Sequence, residues 1–104
     1  MKLGNLFANL ANAQSGEEFL TLFDNTNVKI ERIVSHAHPS PAGFWYDQDE
    51  DEWLVVLRGS ATLEFIGGEQ VELKAGDYLT IDRHVQHRVA RTSDETVWLA
   101  VHLR

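Results

Sequence analysis

The sequence predicts an all-β domain preceded by a short helix, and the spacing of its apolar residues is the main reason. From residue 28 onward, short apolar runs and alternating apolar and polar residues are typical of strands, as in residues 28–34 and 53–57. These segments recur at roughly 8- to 12-residue spacing, separated by turn signals such as Gly67-Gly68. Many short, evenly spaced strands favour an antiparallel sandwich or barrel.

The individual elements follow from the same pattern. We expect strands over residues 28–34, 44–47, 53–58, 61–66, 70–73, 78–81, 86–91 and 96–103. Residues 15–23 are predicted to form the helix, because Ser15 can cap it, Glu17 and Glu18 suit its first turn, and apolar residues follow. Two parts are therefore expected, a helical segment over residues 1–27 that packs on the barrel and the barrel domain over residues 28–104.

Composition limits the classes of partner. The chain has 104 residues, enough for one domain, and 43% of them are hydrophobic. Its net charge of −7 makes nucleic acid and anionic membranes poor partners, since phosphates bind basic surfaces. There are no cysteines, hence no disulfides or thiolate metal sites. With no signal-peptide pattern and no long apolar run, a cytoplasmic protein is expected.

An acidic cluster meets a buried strand at residues 47–53. Five of its first six residues are Asp or Glu, and residues 53–57 are apolar. Carboxylates entering an apolar interior need a partner or a metal ion. Most of these acids are expected in a solvated loop tip, with Asp49, Glu50 and Asp51 facing solvent, while one or two of the cluster point inward at a site.

The alternation of side chains along two later strands places their histidines on defined faces of the sheet. His87, Val89 and Arg91 share one face of their strand, and His102 shares a face with Trp98. A closed sheet brings distant strands together, so an imidazole and a carboxylate can meet inside it. Such a pair would make either a metal site or a general acid/base pair.

Two motifs in this sequence resemble those of the cupin superfamily. Glu52 is followed by six residues and then Gly59, and Gly76 precedes His87 at the interval of the second cupin motif. The resemblance covers about residues 28–103 and implies a double-stranded β-helix, or jelly-roll barrel. Cupins host many chemistries, so the fold does not name a reaction. Metal-binding cupins carry His-x-His before the Glu, where this chain has Trp45 and Asp47.

The resemblance implies a set of site residues. Asp47, Glu52 and His87 would hold a divalent ion (Fe, Mn, Ni or Zn), and Glu52 and His87 would be catalytic. Four further residues are expected to line the substrate site: Trp45, Tyr78, His102 and His36. His38, two residues after His36, is a second candidate for a displaced ligand, and His84 is expected in an exposed turn.

Three functions remain open at this point. The first is a small metal-dependent enzyme acting on a small organic molecule in the barrel. The second is a metal-free barrel that binds a small molecule or sugar without catalysis. The third is metal-free acid/base catalysis, such as sugar epimerisation or isomerisation, by His87 with Glu52 or Asp47. The aromatic run at residues 44–46 predicts a homodimer or a cover supplied by the N-terminal helix.

Overall fold

The computed structural model describes residues 1–10, 16–37 and 39–104, and it confirms the all-β barrel. The strands are β1 (Gly16–Asp24), β2 (Val28–His36), β3 (Asp51–Arg58), β4 (Ser60–Phe65), β5 (Gln70–Lys74), β6 (Tyr78–Ile81), β7 (His87–Thr92) and β8 (Thr96–Leu103). They form a five-stranded sheet, ordered β1-β2-β8-β3-β6, and a three-stranded sheet, ordered β5-β4-β7. Every pairing is antiparallel.

The core lies between the two sheets. Alternation places Leu54 and Val56 of β3 on the inner face, beside Trp98 and Ala100 of β8. The opposite sheet contributes Leu63 of β4, which is 2% exposed. These side chains form the apolar core of the barrel.

The predicted N-terminal helix is wrong, because residues 16–24 form the edge strand β1. Antiparallel pairing with β2 sets Phe19 opposite Ile33 and Glu18 opposite Val34. The apolar residues at 19, 20, 22 and 23 suit a helical stripe as well as an edge strand, and pairing with β2 decides between them. Ser15, the expected cap, lies outside the described residues, and no helix within those residues is long and apolar enough to cross a membrane.

Residues 1–10 pack on the outer face of the five-stranded sheet. Leu10 joins Val34 and Val97 in a small cluster separate from the barrel core. Arg32, 3% exposed, donates from Nη1 to the carbonyl oxygens of Leu6 (3.2 Å) and Ala8 (2.6 Å). The guanidinium therefore ties the start of the chain to β2.

Two other local expectations are corrected. Residues 44–47 do not form a strand, and only Tyr46 makes an isolated bridge, to His87. The pairing of β4 with β7 shifts between Val89 and Arg91, so Arg91 leaves the inner face and is exposed.

The expected homodimer stays a prediction. On the edge strand β1, four large apolar side chains are exposed: Phe19, Leu20, Leu22 and Phe23. Such a row beside an unpaired strand edge is typical of a surface that another chain covers.

Candidate functional site

A cavity of about 70 Å³ lies between the sheets. Its wall combines apolar side chains with carboxyl, imidazole and phenol groups. The lining residues are Glu17, Phe19, Glu31, Ile33, Tyr46, Gln48, Glu52, Leu54, Leu63, His87, Val89, Trp98 and His102. An apolar cavity with a few converging polar groups has the character of a small-molecule site.

Glu52 and His87 face each other across this cavity from opposite sheets. Glu52 is 6% exposed and His87 is 4% exposed. The Oε1 of Glu52 lies 3.9 Å from the Nε2 of His87. This distance is too long for a direct hydrogen bond, so both atoms can contact one small group that lies beside them in the cavity.

The hydrogen bond at the other ring nitrogen fixes the tautomer of His87. Its Nδ1 lies 2.9 Å from the carbonyl oxygen of Val85. A carbonyl oxygen only accepts, so Nδ1 carries the proton and donates. Burial lowers the pKa of His87 below its ordinary 6.5, so the ring is neutral near pH 7 and Nε2 keeps a free lone pair. Tyr46 stacks on the ring at 5.4 Å and helps to hold its orientation.

The pKa of Glu52 moves in the opposite direction. Burial raises it above the ordinary 4.5, the positive field of His102 opposes this, and the negative charges of Glu31 and Glu50 add to it. The two pKa shifts therefore both favour the neutral forms, a carboxyl group on Glu52 and an imidazole on His87. Burial also raises the pKa of Tyr46, so its hydroxyl group stays protonated.

His102 forms a second polar group beside this pair. Its Nε2 lies 2.8 Å from the Oε1 of Glu31, and both residues are buried. Its Nδ1 is buried without a hydrogen-bond partner, 3.5 Å from a carboxylate oxygen of Glu50. Cross-strand pairing of His102 with Glu52 sets this group next to the reactive carboxyl group.

A family model described as "Cupin domain" matches residues 31–102. The chain belongs to the cupin family. A Ralstonia eutropha JMP134 protein, provisionally named a mannose-6-phosphate isomerase, is 44% identical, with a TM-score of 0.93 over 99% of this chain and 98% of that one.

More distant structures share the fold. A cupin superfamily protein from Desulfitobacterium hafniense DCB-2 is 17% identical, with a TM-score of 0.80 over 99% of this chain and 92% of that one. A Neisseria meningitidis protein is 16% identical, with a TM-score of 0.78 over 99% of this chain and all of that one. A comparison with curated proteins gave no match.

The predicted metal set of this cupin does not assemble, because Asp47 lies outside the cavity. Tyr46 lines the cavity, whereas Asp47 is exposed and does not. The Oδ1 of Asp47 lies 2.8 Å from the Nδ1 of His84, and its Oδ2 accepts from Gln86 at 3.2 Å; these hydrogen bonds lower the pKa of Asp47. Across residues 1–10, 16–37 and 39–104, no three His, Cys, Asp or Glu side chains are grouped to hold a metal ion, so the residues present do not fit the predicted site.

Three of the residues expected to bind substrate also lie elsewhere. Trp45 is half-buried, and Tyr46 takes the position on the cavity wall. Tyr78 is 68% exposed and packs on Trp53 outside the barrel, since Leu79 faces the core.

His36 is half-buried at the end of β2 and does not line the cavity. His102, the fourth residue expected at the substrate site, does line it. His38 falls outside the described residues. His84 is exposed, as predicted.

The acidic cluster only partly faces solvent. The side chain of Asp49 is 93% exposed, but that of Glu50 is 28% exposed and accepts from Arg104. Glu17 and Glu31, which were not predicted as site residues, line the cavity. Alternation with Ile33 could have identified Glu31, whereas the helix prediction hid Glu17.

Proposed function

We propose that this cupin catalyses proton transfer on a small hydroxy-carbonyl compound, as in aldose–ketose isomerisation or epimerisation. The observation that carries the proposal is the buried pair of His87 Nε2 and Glu52 Oε1, 3.9 Å apart in the cavity. One group has a free lone pair and the other a raised pKa, which suits a general base and a general acid.

The chemistry can be written with these two residues. His87 Nε2 takes the proton from the hydroxyl-bearing carbon beside the carbonyl group, while protonated Glu52 donates its proton to the carbonyl oxygen. The product is a neutral enediol, with imidazolium and carboxylate on the protein. Glu52 then takes the proton from the second hydroxyl group and imidazolium returns its proton to the neighbouring carbon, which restores both residues and moves the carbonyl group.

The similar Ralstonia protein supports this class of reaction. Its provisional name is that of an isomerase, and it shares 44% identity over nearly the whole chain. Aldose–ketose isomerisation is a proton-transfer reaction that an acid/base pair can perform.

Deuterium exchange tests the proposal directly. In D₂O, the protein is expected to exchange the carbon-bound protons beside the carbonyl group of dihydroxyacetone, D-erythrose or D-mannose, as read by proton NMR. His87→Gln is expected to abolish this exchange. His84→Gln is the matched control, because His84 is exposed and lies outside the cavity. Binding of these compounds without any exchange would instead support a binding barrel.

The exchange rate is also expected to show a bell-shaped dependence on pH. The rate needs neutral His87 and protonated Glu52. It falls at low pH as His87 gains a proton, with a pKa below the ordinary 6.5, and at high pH as Glu52 loses one, with a pKa above the ordinary 4.5. Rates measured from about pH 4 to 9 check this, and a rate that does not change with pH would contradict it.

A further inference from the structure

We propose that the cavity selects a small, phosphate-free ligand, neutral or cationic, and rejects the phosphate ester of the same compound. This inference rests on the proposed function and adds the substrate class. It differs from the substrate class in the provisional name of the Ralstonia protein, which is a phosphorylated sugar.

The charges around the cavity carry the inference. Among the described residues, three carboxyl groups line it, those of Glu17, Glu31 and Glu52, and no Lys or Arg does. His87 does not compensate, because burial disfavours its charged form, and His102 is already paired with Glu31 at 2.8 Å. A phosphate group entering this cavity would meet the carboxylates of Glu17 and Glu31 at short range in a medium of low dielectric constant.

The nearby cations already have partners. Lys29 is not a lining residue and pairs with the lining residue Glu31 at 3.7 Å, and Arg32 binds backbone carbonyl groups on the outer face of the sheet. Arg88 donates to Glu64 at 3.0 Å and to the carbonyl oxygen of Ser40 at 2.9 Å. Proteins bind phosphate through Lys, Arg or helix N-termini, and the described part of this cavity presents none of these.

The size and the hydrogen-bonding groups of the cavity agree with a small hydroxylated ligand. A volume of about 70 Å³ holds several water molecules but falls below the roughly 300 Å³ of usual ligand pockets. The Nε2 of His87 and the carboxyl group of Glu52, 3.9 Å apart, offer hydrogen-bonding atoms to a ligand hydroxyl group in the cavity.

The experiment compares matched pairs of compounds. Dihydroxyacetone and dihydroxyacetone phosphate, and D-mannose and mannose 6-phosphate, are titrated into the full-length protein. Binding is read from the indole N–H NMR signal of Trp98, which lines the cavity and donates to Ser35. In at least one pair, the neutral compound is expected to bind at least about 10-fold more tightly than its phosphate.

A charge reversal tests the cause of the selectivity. Glu17→Lys is expected to lower the ratio of the dissociation constant of the phosphate to that of the neutral compound at least about 10-fold. Glu69→Lys makes the same change in net charge at an exposed turn outside the cavity and is expected to leave the ratio unchanged. Glu17→Gln, a milder change, is expected to give an intermediate ratio.

The outcomes separate this inference from the proposed function. Equal or tighter binding of the phosphate in both pairs would overturn the inference, as would no binding of either neutral compound. Proton exchange on the phosphorylated compounds alone would support the function and overturn the inference. Tighter binding of the neutral compounds without proton exchange would support the inference and overturn the proposed function.

Discussion

Glu52→Gln is expected to lower the rate of proton exchange at least about 100-fold while making the folded protein more stable near neutral pH. An amide cannot donate the proton that a protonated carboxyl group gives to the substrate oxygen. It keeps nearly the same shape, so the cavity and its binding of the neutral ligand are expected to remain.

The stability gain follows from the direction of the pKa shift. Glu52 has a higher pKa in the folded protein than the ordinary 4.5, because burial and neighbouring carboxylates disfavour its charge. Its favourable contribution to the free energy of unfolding is therefore complete below pH 4.5 and is lost as the pH rises through the folded-state pKa. Replacement by a neutral amide removes this loss. The gain in the free energy of unfolding should therefore appear above pH 4.5 and vanish below it.

Thermal unfolding at several pH values, beside the exchange assay, checks both parts. Glu69→Gln, an exposed change of the same type, is the control and should alter neither quantity. A Glu52→Gln protein that melts lower at every pH and exchanges normally would identify Glu52 as a structural residue only. Lower activity with higher stability is the pattern expected of a catalytic group held in an unfavourable environment.

Gly59→Ala is expected to lower the free energy of unfolding by about 3 kcal/mol. Gly59 has a φ of 85° in the turn between β3 and β4. A Cβ atom there would collide with the carbonyl oxygen of Glu95 and the Oγ of Ser93. The penalty combines left-handed backbone strain with a clash against backbone that has little room to move.

Urea denaturation of Gly59→Ala beside Gly67→Ala separates the two causes. Gly67 also has a positive φ, of 98°, but nothing lies within 4 Å of a Cβ atom built there. Its substitution is expected to cost only the backbone strain, about 1–2 kcal/mol. Equal losses in the two variants would show that the contact with Glu95 and Ser93 does not limit the substitution.

The barrel and the two central residues of the site could be predicted because their signals are local. Short strands with alternating faces place Glu52 beside inward Leu54, and the interval from Gly76 to His87 places the imidazole at the start of β7. A period of two fixes the face of a side chain once one neighbour is known.

The rest of the site depends on long-range pairing, which the sequence pattern does not reveal. A helix was predicted over residues 15–23, but residues 16–24 pair with β2 as a strand. Glu17 was therefore not expected at the cavity. Asp47 stands where the cupin motif has a metal ligand. Tyr46 lines the cavity instead, because its backbone bridges to that of His87. Glu31 shares the inner face of β2 with Ile33, which alternation could have indicated, but its pairing opposite Ala100 of β8 could not be predicted.

Deuterium exchange by protein freed of divalent ions with a chelator is the most direct test of the Glu52–His87 pair. Exchange on a neutral hydroxy-carbonyl compound is expected to persist after chelation at an unchanged rate. Loss of exchange on chelation, with recovery when a divalent ion is added back, would place the chemistry on a metal ion and contradict proton transfer by these two residues alone.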